Sequence, residues 1–304
     1  MADTCGFALL FPEQKRQNNP NNCFTWFDAA DTRRGQGEAA SIRSMIARMA
    51  LDQGFDEDRV FITGLSAGGA MTAVMLATYP EVFSAGAIIA GLPYGAAESV
   101  QAAFASMAHG TARDAEQLGN LVRKASPYVG PWPRVSVWHG SADKTVVPIN
   151  AEETVKQWTD VHETMMNPEL RDGVGYQKIV WRNEDGAEVV ESITISGLAH
   201  GTPLAVTTGD ERCGEAGPFL LEAGVSSTHH IARFFGVLGP IDSALPRQVA
   251  TIPGNNEVAH HPKATLRTTG TRWMEKPLDK VVDVAPTDIH GIISRALRSA
   301  GLTK

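Results

Sequence analysis

No stretch of this 304-residue chain approaches the roughly 18 consecutive apolar residues of a membrane-crossing helix, so nothing in it is expected to span a bilayer. There is no GKS/T loop, no GxGxxG fingerprint and no His/Cys cluster at zinc spacing, and neither a nucleotide cofactor nor a metal is expected. Cysteine is scarce: Cys5, Cys23 and Cys213 make an odd count that permits one intrachain disulfide at most, with a pairing that sequence cannot fix. Positive charge is in deficit, 27 Lys and Arg against 34 Asp and Glu, and a net charge of -7 disfavours a nucleic-acid partner. A secretory leader is also missing from the expectation, because Met1–Thr4 lacks a basic start and the apolar stretch after Gly6 is only five residues long.

What is present is organised around Arg59 to Thr78, RVFITGLSAGGAMTAVMLAT. Val60 to Thr63 is a short run of strand formers, glycines punctuate the middle, and Ala70 to Thr78 continues with helix formers. The reading is strand, sharp turn, helix. Gly64-Leu65-Ser66-Ala67-Gly68 satisfies G-x-S-x-G, in which a nucleophilic serine sits on a strained strand-to-helix turn. Glycines on both sides of Ser66 are expected because a Cβ there would collide with the neighbouring strand and helix. The helix directs free N–H groups at the point where negative charge develops on an attacked carbonyl, which makes Ala67 N–H a candidate oxyanion donor. The competing reading is a Gly-rich turn that merely packs closely.

At 43% hydrophobic the chain can bury a large core. Gly6 to Pro12 reads as a buried strand stopped by proline, and Asn18 to Asn22 as a loop. Cys23-Phe24-Thr25-Trp26-Phe27 is an aromatic cluster that serves either as a lid over core or as a binding wall, and Trp26 is its candidate substrate contact. Glu38 to Gly54 is an amphipathic helix carrying Ile42, Met45, Ile46 and Met49 on one face. Phe83 to Ala90 reads as the next parallel strand, and Ala96 to Ala125 as Ala-rich helix able to cap the active-site side. Strands alternating with helices point to a mostly parallel sheet covered on both faces.

Arg134 to Asp143, RVSVWHGSAD, is a strand followed by a loop that carries Asp143. In α/β-hydrolases the acid follows the nucleophile and the histidine comes last, both on loops at strand ends. A carboxylate at Asp143 would fix the tautomer of the histidine and stabilise its imidazolium. The alternative is an aspartate capping the helix that begins near Pro148. His139 precedes the acid and is read as structural. Tyr176 to Trp181 and Val189 to Ile195 form two further strands around an Asp185-Gly186 turn, and His200 follows between Ala199 and Gly201. It completes an ordered Ser66, Asp143, His200 triad. Gly224 to Phe235 is expected to close the body as a helix with Val225, Ile231, Phe234 and Phe235 available for burial.

From Gly239 onward nine Lys and Arg face six Asp and Glu, a surplus of three that leaves -10 on the preceding body of a chain whose net charge is -7. Domain boundaries of 1–238 for the catalytic body and 239–304 for an irregular cationic extension are expected, with a terminal amphipathic helix over Thr287 to Ala300.

LFPEQ at Leu10 to Gln14, NPNNCFTWF at Asn19 to Phe27, the segment Val60 to Phe83, VWHGSADKTV at Val137 to Val146 and GLAHGTP at Gly197 to Pro203 resemble the polyhydroxybutyrate depolymerase family of esterases, relatives of feruloyl and acetylxylan esterases. The resemblance runs from about Gly6 to Gly239. It implies an α/β-hydrolase fold and hydrolysis of small or polymeric carboxylic esters by Ser66, Asp143 and His200, without cofactor, often outside the cell. It also implies a strand ending in a His-Gly-Cys loop ahead of the segment that opens this chain. The expectation is a fold truncated at its N-terminus, an oxyanion site with Ala67 N–H but no visible second donor, and Cys23 without its usual partner. A start assigned too far downstream, a replacement donor and a weak enzyme all fit that pattern. Cytoplasmic residence follows if Met1 is the true start. Two other functions stay open, a catalytically silent hydrolase-fold binding module and a serine peptidase. The sequence carries no signal for oligomeric state.

Overall fold

Nearly every side chain from Gly69 to Thr78 is buried, which marks that helix as one enclosed all round rather than lying on a surface. It leads off the nucleophile strand, and the rest of the architecture is laid out from there. The structure, a computed structural model, describes residues 1–207 and 211–238. In chain order the elements are α1 (Ala2–Cys5), α2 (Ala29–Thr32), α3 (Gly37–Gln53), β1 (Phe61–Leu65), α4 (Ala67–Thr78), β2 (Ala85–Ile89), α5 (Val100–His109), α6 (Ala115–Ala125), β3 (Arg134–Gly140), α7 (Ile149–Val161), β4 (Glu169–Gly173), β5 (Tyr176–Arg182), β6 (Glu188–Ile195), β7 (Thr202–Leu204), β8 (Leu220–Glu222) and α8 (Ser227–Phe234). The sheet order is β1-β2-β3-β6-β5-β4, with β7 and β8 forming a separate pair. Strands β1, β2, β3 and β6 run parallel, and β5 and β4 are added antiparallel. This is the mostly parallel α/β-hydrolase sheet expected.

Side-chain alternation along the strands divides the core in two. Ile88, Val135, Val137 and Val190 point to one face, where Ile42, Met71, Met75, Val155 and Trp158 from α3, α4 and α7 cover them. Ala87, Ile89, Trp138, Ile193 and Ile195 point to the other and meet Val225 and Ile231 beside and within α8. Register makes this consistent, since Val135 pairs with Val190 and Trp138 with Ile193. Phe235 stacks on Phe61, with ring centroids 4.7 Å apart, and ties the end of α8 to β1.

Three expectations need correction. Gly6 to Pro12 forms no strand: Leu9 is 56% and Phe11 79% exposed. Strand identity is a property of pairing, and an apolar run that finds no sheet edge is not a strand. On α3, Ile42 and Ile46 are buried but Met45 is exposed, because the contact face is completed by Ala39 instead. Of the Ala-rich segment, its start and α5 lie near the candidate site, Ala96, Ala97 and Ala103 sharing a cluster with Ala70 and Val146. Helix α6 packs on α7 and α4, burying Leu118 and Val122, and is held by a capping box at Asp114. The extension 239–304 and its expected helix lie outside the described residues. No helix among the described residues is long and apolar enough to cross a membrane.

Candidate active site

Parallel strands deliver their C-terminal ends to one rim of a sheet, and ligand crevices of open α/β folds form there. Ser66 follows β1, Asp143 lies beyond β3 and His200 beyond β6. The rim is stitched by backbone hydrogen bonds. Ser66 N–H donates to Ile89 O at 2.9 Å, Ala90 N–H to Trp138 O at 2.8 Å, Ser141 N–H to Ile195 O at 3.0 Å and Ala142 N–H to Leu198 O at 3.0 Å. These bonds connect the serine turn, through β2 and β3, to the histidine loop.

Ser66 has φ 57° and ψ -118°, a conformation that side-chain-bearing residues rarely adopt, and Ala67 follows as the first residue of α4. Free N–H groups of a first helical turn have no intrahelical acceptor, so Ala67 N–H is open to a ligand oxygen. The glycines behave differently from one another. A Cβ on Gly64 would meet the Gly68 carbonyl and one on Gly69 would meet Ile89 O at 2.9 Å, but a Cβ on Gly68 would meet nothing within 4 Å. The tight crossing is therefore between Gly64 and the backbone of residues 68 and 69, and the side-chain position at residue 68 itself is free.

Asp143 and His200 are brought together: His200 Nδ1 lies 2.7 Å from Asp143 Oδ2. With an acceptor on Nδ1 the proton sits there, leaving Nε2 as the basic nitrogen. The other carboxylate oxygen, Oδ1, accepts from Thr145 N–H at 2.8 Å and Val146 N–H at 3.0 Å, so it caps its own loop and not the helix after Pro148. Burial by itself would raise the Asp143 pKa. The His200 hydrogen bond and charge, with the two N–H donors, outweigh it and hold the carboxyl below its usual range.

His139 is 4% exposed and its Nε2 lies 2.8 Å from Val146 O and 3.5 Å from Asp143 Oδ2. Burial pushes its pKa down, so the ring is a neutral strut that ties β3 to the far end of the Asp143 loop. A residue that sequence reasoning missed is Gly140. A Cβ there would press on the backbone of Leu198 and Ala199, so glycine lets the acid loop and the histidine loop touch. Its signal was visible as the glycine between His139 and the acid. Trp26 is 7% exposed, stands edge-on to Phe27 with centroids 5.5 Å apart, and packs with Ala70, Leu92 and Val146 in a cluster that Ala67 also joins. Its loop is anchored by Glu38, which accepts Thr25 N–H at 2.8 Å. All three cysteines are free. A cavity of about 290 Å³ lined by Glu57, Phe83, Tyr128 and Trp132 adjoins the starts of β1, β2 and β3, at the end of the sheet away from Ser66.

Comparison with known proteins gives a consistent set of matches. Residues 1–169 match the family described as Esterase PHB depolymerase. The chain is 44% identical over 241 residues to poly(3-hydroxyalkanoate) depolymerase C of Paucimonas lemoignei, covering 79% of this chain and 58% of that protein. It is 35% identical over 215 residues to an acetylxylan esterase of Coprinopsis cinerea, covering 68% of this chain and 56% of that protein. The chain thus spans little more than half the length of either relative. Among solved structures, an acetyl xylan esterase from Aspergillus awamori superposes with a TM-score of 0.60 at 23% identity, covering 78% of this chain and 80% of that one, a likeness of fold.

Proposed function

The chain belongs to the esterase PHB depolymerase family, and from that premise we propose that it is a serine carboxylic ester hydrolase. Ser66 is the nucleophile, His200 the base, Asp143 the orienting acid and Ala67 N–H an oxyanion donor. The observation that carries the reading is the 2.7 Å contact between His200 Nδ1 and the enclosed Asp143 carboxylate, at the rim where β1 delivers Ser66.

In this mechanism Ser66 Oγ adds to the ester carbonyl carbon while His200 Nε2 takes its proton. The oxyanion is met by Ala67 N–H at the positive end of α4. Collapse expels the alcohol, which receives the proton from His200, and leaves an acyl-Ser66. Water, deprotonated by the same nitrogen, adds to the acyl carbon and frees the acid and the serine. No cofactor enters these steps. Hydroxyalkanoate esters are the first substrate class to try, because the depolymerase relative shares more identity than the acetylxylan one. Acetyl and feruloyl esters come next. Residues 1–238 form the catalytic domain in this reading and 239–304 an extension, and activity outside the cell follows for a polymeric ester too large to enter it.

The test is hydrolysis of p-nitrophenyl acetate and butyrate by purified protein. Turnover that Ser66→Ala abolishes is expected, and equal slow rates in both would sink the reading.

A further inference from the structure

Phe219 has a backbone conformation that favours glycine. Gly217-Pro218-Phe219-Leu220 is a tight turn: Leu220 N–H donates to Gly217 O at 3.0 Å, with proline second and Phe219 third. The third residue of a Pro-initiated type II turn needs positive φ, hence the preference for Gly or Asn. Phe219 has φ 61°. A bulky aromatic in that region stores strain, and strain of this kind persists where the surroundings impose it and the position has a use.

The surroundings are the histidine loop. Phe219 O accepts Thr202 N–H at 2.7 Å, and the next residues pair as β8 with β7 directly after His200. Gly201 allows this approach, since a Cβ there would stand 2.7 Å from Phe219 O. The turn thereby holds the phenyl ring edge-on to the His200 imidazole, with centroids 6.1 Å apart and planes at 81°. Packing does not account for the ring, because Phe219 is 43% and its neighbour Leu220 42% exposed. An aromatic side chain is thus kept beside the catalytic candidate at the expense of backbone strain, with much of its surface facing water.

Resting on the triad reading above, we infer that Phe219 is the apolar wall for the alcohol half of the ester and selects alcohols bearing an alkyl or aryl group. The chemistry sets the side. His200 takes the serine proton and hands it to the departing alkoxide, so the alcohol oxygen must come within reach of its Nε2, and a group packed on that ring meets the alcohol before the acyl chain. Phe219 offers a bound alcohol carbon surface, which favours an apolar substituent over a small, well-hydrated one. The acyl half leaves the reacting carbon in the other direction and does not feel this wall.

The experiment holds the acyl group constant. The kcat/KM for benzyl acetate and for methyl acetate is measured by titrating released acid, in the full chain and in Phe219→Ala, Phe219→Gly and Phe219→Tyr. Phe219→Ala and Phe219→Gly are expected to lose about tenfold more on benzyl than on methyl acetate, the scale of one apolar contact in a specificity pocket. Phe219→Tyr, which keeps the ring, should restore most of the ratio. Phe219→Gly relieves the positive φ, so its Tm should rise by about 2–4 °C while selectivity falls. A residue present only for packing would show lower Tm and equal losses on both esters, and that pattern overturns the inference. Labelling by a fluorophosphonate, whose leaving group is fluoride and not an alcohol, separates the two levels. Labelled Ser66 with an unchanged ester ratio refutes the alcohol wall alone, whereas unlabelled Ser66 in the wild-type chain refutes the triad reading and the wall with it.

Discussion

Two carboxylates held by cationic or potentially cationic partners differ in exposure, one enclosed and one half open to water. Asp143 has a fully enclosed side chain and is met by His200 and two backbone N–H groups. Glu169, on the antiparallel edge strand β4, is 48% exposed and joined to Arg171 at 2.7 Å and Arg182 at 3.4 Å, with Glu188 completing the group. Hydrogen bonding to Arg171, with Arg182 behind it, lowers the Glu169 pKa to about 2. Water and mobile ions screen that cluster, and exposed ion pairs contribute little to stability however good their geometry. Asp143 has no such shielding and no freedom to reorient, so its contacts fix one tautomer and one ring position. A perturbed carboxylate can thus belong to a structural ion-pair network, and the proposed triad rests instead on the enclosure of Asp143 beside a partner that can move a proton.

Removing the charge at each carboxylate tests that contrast most strongly. Asp143→Asn should keep the fold and lower kcat on p-nitrophenyl acetate by about 10³ to 10⁴-fold, because an amide no longer fixes the Nδ1–H tautomer; a loss below tenfold would show that enclosure was misjudged as function. Next comes His162, whose ring Nε2 lies 3.0 Å from Pro133 O and whose pKa burial lowers from 6.5 to about 4. The unfolded chain binds the proton first, so between about pH 6.5 and 4 acidification favours unfolding, by on the order of 2–3 kcal/mol once pH 4 is reached. Urea midpoints at pH 7 and pH 4.5 should show this slope, and His162→Phe should flatten it. Smaller still is the effect at the serine turn. Gly64→Ala should cost about 1–3 kcal/mol through overpacking, whereas Gly68→Ala should be neutral or slightly stabilising in thermal melts because it adds a helix former in open space. Last, Glu169→Gln should leave Tm and turnover unmoved at physiological salt, and a clear fall in either would mean that the exposed edge is not passive.

Much of the candidate site was legible beforehand because its parts are local. Gly64 to Gly69 specifies a strand-turn-helix by itself, and the runs Val135 to Trp138 and Val189 to Ile195 announce the strands whose ends carry Asp143 and His200. Elements whose identity depends on a distant partner were illegible or misread. The arm at Gly6 to Pro12 has strand composition and no strand pairing. Strand β4, with the sequence ELRDG, has almost no apolar signal and exists because β5 hydrogen-bonds to it. The β7/β8 pair joins Thr202–Leu204 to Leu220–Glu222, segments remote in sequence, and with it the placement of Phe219 against His200 could not be anticipated.

By itself the sequence determined the turn that presents Ser66, the order of serine, acid and histidine, and the strands around Val135 to Trp138 and Val189 to Ile195, since each is set by steric and periodic rules acting over a few residues. Tertiary structure alone decided that His200 Nδ1 meets Asp143 at 2.7 Å across 57 residues of chain, that Gly140 rather than Gly68 is where two loops must touch, and that a strained phenylalanine stands edge-on to the histidine. The reason is that a contact between remote segments depends on the closure of the whole sheet, and no local preference encodes that distance.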